Sequence, residues 1–114
     1  MLNQIVLVGR LTKEPEVKNV DDMKSVSNVT LAIPRSYKNA DGEYETDFVD
    51  VTLWNGIAQN TAEYCKKGDL VGIKGRVQTD SYENDEGKRV SKLNVIAEKV
   101  TFLSQAKEAP EPAR

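Results

Sequence analysis

Three features of this sequence predict an all-β fold with one short helix. Apolar residues alternate along five stretches, from Asn3 to Leu11, Val26 to Ile33, Asp47 to Trp54, Leu70 to Tyr82 and Lys88 to Phe102. Only the segment from Asn55 to Cys65 spaces its apolar residues as a helix does. Turn chemistry separates the strands, most clearly at Asn39-Ala-Asp-Gly42 and Asn84-Asp-Glu-Gly87.

The first stretch sets Ile5 and Leu7 against Val6 and Val8, and its β-branched content predicts a strand buried on much of both faces, with a bulge or bend at Gly9. The second puts Val29, Leu31 and Ile33 on one face and ends at Pro34, which cannot donate to a ladder. Residues 35 to 46 read as a long hairpin tip bearing Tyr37. In the third, Val49, Val51 and Leu53 point to the core, so Phe48, Asp50, Thr52 and Trp54 point the other way.

Asn55 is the predicted N-cap of the helix, with Ile57, Thr61, Tyr64 and Cys65 on its apolar stripe. Lys66 and Lys67 suit its negative end and Gly68 stops it. The fourth strand turns Val71, Ile73 and Val77 inward and Gly72, Lys74, Arg76, Gln78, Asp80 and Tyr82 outward. The last turns Leu93, Val95 and Ala97 inward and bends near Glu98. Five strands with the helix between the third and fourth is the layout of a five-stranded OB-fold barrel, whose helix plugs one end. Residues 1 to 104 form this domain, and 105 to 114, ending in Ala-Pro-Glu-Pro-Ala-Arg, are expected to be a short disordered tail. There is no internal repeat and no second domain.

A chain of 114 residues buries roughly two thirds of the surface of its unfolded form, enough for one core. No apolar run approaches the ~20 residues of a membrane helix, and the start lacks the order of a signal peptide. A cytoplasmic, nucleoid-associated location without membrane contact is expected. The single Cys65, in a chain with no histidine, excludes an internal disulfide, an ordinary zinc site and a Cys-His pair, and reads as a small buried hydrophobe. Sixteen Lys and Arg against eighteen Asp and Glu leave a net charge of −2. A basic footprint must therefore come from placement rather than from the total.

Catalysis has little to draw on. Histidine is absent, and Asp21-Asp22 and Asp85-Glu86 lie in expected turns, where solvated loop charge is the simpler reading. Asp80, Asn84 and Glu86 hint at a calcium loop, but Tyr82 stands where an oxygen ligand belongs and the distal glutamate is missing. No phosphate-binding glycine loop occurs. Asn28-Val29-Thr30 matches a glycosylation acceptor but lies within a strand. No enzyme activity, metal or cofactor is expected.

A binding surface remains. Tyr37, Phe48, Trp54 and Tyr82 are aromatics that periodicity turns away from the core, and flat rings beside Asp50 and Thr52 gain most by meeting another flat surface, such as an unpaired base. Cations for phosphates are Arg35 and Lys38 beside Tyr37, Lys74 and Arg76 on the face of Tyr82, and Lys13, Lys18 and Lys88 in flanking segments, where Lys24, Arg89 and Lys92 also fall. Tyr44 reads as loop decoration, and Tyr64 and Phe102 as core. A subunit interface is the competing explanation for Phe48 with Trp54. An RNA-binding module is a further one, because stacking is indifferent to the sugar.

The stretches Asn3-Gln-Ile-Val-Leu-Val-Gly-Arg-Leu11, Glu14-Pro-Glu-Val17, Val29-Thr-Leu-Ala32, Val51-Thr-Leu-Trp54, Ala62-Glu-Tyr-Cys-Lys-Lys-Gly68 and Gly75-Arg-Val-Gln-Thr79, in this order and spacing, resemble bacterial single-stranded-DNA-binding proteins. The resemblance covers about residues 1 to 104. It implies an OB fold, a homotetramer and sequence-tolerant wrapping of single-stranded DNA in replication, recombination, repair or DNA uptake. The family's base-stacking aromatics fall on Tyr37, Phe48, Trp54 and Tyr82. Two departures stand out: the family commonly has Trp at several of these positions, and Asp80 stands where a basic residue is frequent, which predicts lower affinity per protomer. The ending at Ala113-Arg114 resembles a short form without the acidic, Phe-terminated tip, so partner recruitment through such a tip is not expected.

Overall fold

The computed structural model describes residues 2 to 104. In chain order it contains β1 (Ile5–Leu11), β2 (Lys18–Asp21), β3 (Lys24–Lys38), β4 (Tyr44–Trp54), α1 (Asn55–Tyr64), β5 (Leu70–Glu83) and β6 (Arg89–Ser104). The expected tail, 105 to 114, lies outside the described residues.

Neighbouring strands run in the order β1-β5-β6-β4-β3-β2, and an additional β1–β3 pairing through Arg10↔Ala32 and Leu11↔Leu31 closes the first five into a ring. All pairings are antiparallel except β4–β6, which is parallel and joins Val51 to Val95 and Thr52 to Ile96. Alternation fills the ring. Leu11, Val29, Leu31, Val51, Leu53, Val71, Ile73, Val95 and Ala97 are buried, each one or more of the inward positions of its strand. Ala58 and Thr61 of α1 and the adjoining Cys65 add the helix to this core, and α1 packs on β3, β4 and β6.

Two glycines sit where a side chain has no room. A Cβ on Gly9 would lie 2.8 Å from the Ala32 carbonyl oxygen and from Ile33 Cγ1, at the crossing of β1 and β3. The β1–β5 register runs unbroken through Gly9, so close approach replaces the expected bulge. At Gly75 a Cβ would collide with the carbonyl of Ile96. Pairing steps from Lys74↔Lys99 to Gly75↔Ala97, leaving Glu98 unmatched, which is the bend expected there.

Several expectations are corrected. The polar, fully exposed β2 is a sixth strand with no alternation to announce it, paired with β3 alone. Pro34 does not end β3, which continues to Lys38. Beyond Ala32 the strand has only β4 beside it, and an edge tolerates a missing donor. Val6 and Val8 are exposed rather than buried, because nothing among the described residues covers the outer face of β1. Leu93 is exposed too: beyond Val95, β6 is paired only with β5, in a two-stranded ribbon without a second layer beneath it.

The helix differs at both ends. Trp54 occupies the N-cap position, and Asn55 is the first helical residue, with φ of 51°. The strand passes into the helix with no linker, which needs a left-handed residue, and Asn accepts that conformation. The Asn55 side chain turns to β3, where its Oδ1 accepts from the Ser25 amide at 3.1 Å. Tyr64 and Phe102, expected in the core, are exposed and face each other with ring centroids 6.0 Å apart. The helix stops at Tyr64, with Cys65 extended at its C-cap, rather than at Gly68; Lys66 and Lys67 lie beyond its last turn, and Gly68, with φ of 91°, belongs to the turn that follows and donates its amide to the Leu11 carbonyl at 2.8 Å. No helix among the described residues is long and apolar enough to cross a membrane.

Candidate nucleic-acid interface

β4 builds the centre of the site. Val51 and Leu53 are buried and Val49 is half-buried, and this parity sends Phe48, Asp50, Thr52 and Trp54 to the outer face. Phe48 is 67% exposed and Trp54 38%. Their positions are about 20 Å apart along the strand at ~3.3 Å per residue. Trp54 is anchored at the junction of β4 and α1, so its backbone is held from both sides.

The strip of sheet between the rings is polar. The Thr30 hydroxyl donates to Asp50 Oδ1 at 2.7 Å, and the Thr52 hydroxyl donates to Asn28 Oδ1 at 3.1 Å. These pairs join opposed residues of β3 and β4. Periodicity placed Asp50 and Thr52 here, but not their partners Asn28 and Thr30 on β3. A signal existed, since Asn28 and Thr30 alternate with the buried Ser27, Val29 and Leu31 and so share the outer face of β3.

The other two aromatics lie on separate arms. Tyr37, 65% exposed, is near the end of β3, and Tyr82, 54% exposed, is near the end of β5, opposite Val90. Both arms end in the same device. Asn39 Oδ1 accepts the amides of Asp41 and Glu43 at 2.9 and 3.0 Å, and Asn84 Oδ1 accepts those of Glu86 and Lys88 at 3.0 and 2.9 Å. Gly42 and Gly87, with φ of 79° and 76°, complete the two turns.

The candidate cations fall into two groups. Lys13, Lys18, Lys38, Lys74 and Lys88 are exposed. Lys38 Nζ sits 5.7 Å from the ring centre of Tyr44, so Tyr44 is a partner for a cation as well as an exposed loop-end residue. Arg76 is half-buried and donates to Gln78 Oε1 at 2.8 Å. Arg35 meets two carboxylates through three of its five N–H groups: its Nη2 and Nε donate to Asp47, the closest contact at 2.9 Å, and its Nη1 to Glu45 at 2.7 Å. The hydrogen bond from Arg35 holds the Asp47 carboxyl below its ordinary range, and Asp47 in turn raises the pKa of Arg35 further. Asp80, opposite Lys92, accepts from Asn94 Nδ2 at 2.5 Å.

A family model described as the single-strand binding protein family matches residues 2–103. The chain belongs to the single-strand binding protein family. Members of this family are non-enzymatic DNA-binding proteins, and membership makes the five-stranded ring an OB fold. The chain is 53% identical over 103 residues to single-stranded DNA-binding protein B of Bacillus subtilis (strain 168), covering 90% of this chain and 91% of that one. It is 50% identical to the single-stranded DNA-binding protein of Halalkalibacterium halodurans and 48% identical to single-stranded DNA-binding protein A of Bacillus subtilis, each over 90% of this chain. It spans only 61% and 60% of the length of these two.

Proposed function

We propose that this protein binds and protects single-stranded DNA without sequence readout, stacking unpaired bases on Tyr37, Phe48, Trp54 and Tyr82. The observation that carries the reading is the outer face of β4, where Phe48 and Trp54 stand exposed on either side of a hydrogen-bonded polar strip. Rings in that setting offer flat apolar surface to a base, and each stacked base contributes on the order of 1 to 3 kcal/mol. Lys13, Lys18, Lys38, Lys74, Lys88 and Arg76 supply phosphate contacts. Arg35, with two carboxylates already on its guanidinium, contributes differently from these.

The working form is a homotetramer in the cytoplasm, associated with the nucleoid, acting in replication, recombination, repair or DNA uptake. Association between copies is supported by the outer face of β1, where Val6 and Val8 are exposed and Leu103 lies over Gly72, the residue opposite Val8. An isolated domain gains by covering such a surface.

Titration of labelled oligothymidylate across a salt series tests the function. Affinity falls with salt by roughly 0.7 log unit per log unit for each phosphate contact, and duplex DNA competes poorly. Binding that is indifferent to salt, or equal for duplex, contradicts the reading. Competition by matched RNA measures how far the site distinguishes the sugar.

A further inference from the structure

The β3–β4 arm contains a register defect that an arginine side chain bridges. Pairing runs regularly to Pro34↔Thr46 and resumes at Lys38↔Tyr44, so three residues of β3, Arg35, Ser36 and Tyr37, face the single residue Glu45. Over this interval the backbone register is broken. Arg35 reaches across it. Its guanidinium forks onto Asp47 on one side of the defect, with Nε and Nη2 both donating, and onto Glu45 inside the defect through Nη1. Glu45 continues the chain of contacts to the turn, where Asn39 Nδ2 donates to its other oxygen at 3.5 Å. Tyr37 belongs to the bulged segment that this network spans.

We propose that Arg35 is a positioning residue for base stacking by Tyr37, holding the bulged segment of β3 against Asp47 and Glu45, and is not itself a phosphate ligand. This rests on the proposed binding of single-stranded DNA. Three of its five N–H groups are committed, one each from Nε and Nη2 to Asp47 and one from Nη1 to Glu45, and two carboxylates against one guanidinium leave the cluster net negative, which disfavours a phosphate there. A planar fork suits this bridging task, and a lysine could not reproduce it.

The two roles predict opposite results for Asp47→Asn. If Arg35 held phosphate, removing the competing carboxylate would free it, so binding of oligothymidylate would tighten and its salt dependence would steepen. If Arg35 positions Tyr37, Asp47→Asn weakens binding several-fold, although the protein has lost a negative charge, and the salt slope stays unchanged. Arg35→Gln gives the same several-fold loss, again without the decrease of about 0.7 in slope that a lost phosphate contact produces. In a Tyr37→Ala background neither substitution costs further affinity, a result that general loosening of the fold would not give. The pair is half-exposed at the end of an arm, so thermal midpoints of the variants stay near that of the parent. Tighter binding by Asp47→Asn, a flattened slope in Arg35→Gln, or full additivity with Tyr37→Ala each overturn the assignment while leaving single-strand binding standing. A parent protein that fails to shift oligothymidylate overturns the binding reading itself, and this assignment with it.

Discussion

Thr30 donates its hydroxyl to Asp50 at 2.7 Å across β3 and β4, on the outer face between the exposed rings of Phe48 and Trp54. A carboxylate is therefore held in place along the path proposed for a polyanion. The bond orients Asp50 without neutralising it, since Thr30 brings no charge. On the proposed path, repulsion from Asp50 opposes the gain from stacking.

Asp50→Asn keeps an acceptor for Thr30 and removes that charge. Binding of oligothymidylate should tighten by about threefold to tenfold at low salt, and the gain should shrink as salt screens the site. The thermal midpoint should hardly move. Isothermal titration of parent and variant at two salt concentrations checks this, and equal affinities would place the DNA path elsewhere.

Gly75→Ala drives a methyl group into the Ile96 carbonyl, next to the bulge at Glu98. Backbone on both sides must move, so the cost should reach about 3 kcal/mol, the upper part of the range for overpacking. Gly72→Ala, whose Cβ would meet the flexible end of Leu103 at 3.5 Å and the Thr101 Cβ at 4.0 Å, both ordinary contacts, should cost much less. Denaturant unfolding of the two variants compares them directly.

Burial, with help from Asp69, pushes the Cys65 thiol up to about 11. The thiol should therefore stay protonated and unreactive in the folded protein near pH 8. Reaction with a chromogenic disulfide should follow unfolding rather than pH between 7 and 9. Because the pKa of this acid is raised on folding, the neutral thiol favours the native state at these pH values, and the protein loses stability only as pH climbs past the ordinary thiol value of 9.0.

Much of the site was legible because a strand has only two faces. Once Val51 and Leu53 are assigned to the core, Phe48 and Trp54 must emerge on the other side, whatever the topology. Periodicity does not tell whether a second layer exists. Leu93 alternates as correctly as Val95, yet it sits beyond the last pairing with β4 and has nothing under it, and Val6 and Val8 alternate on a face that no described residue covers. Tyr64 falls at the edge of the helical stripe, whose centre runs through Ala58, Thr61 and Cys65, and so stays outside the core. Arg35 shows a different limit. Its charge suggests a phosphate contact, and only the hairpin, which carries Glu45 and Asp47 back across ten and twelve residues, shows that two carboxylates meet its guanidinium.

Base stacking on rings of the outer barrel wall is what Trp54, the only tryptophan in the chain, reports on directly. Its emission, followed while oligothymidylate is added to the parent protein, should be quenched in a saturable manner, and Trp54→Ala should bind more weakly by on the order of 1 to 3 kcal/mol. Unchanged emission at an oligonucleotide concentration that saturates binding would contradict the account.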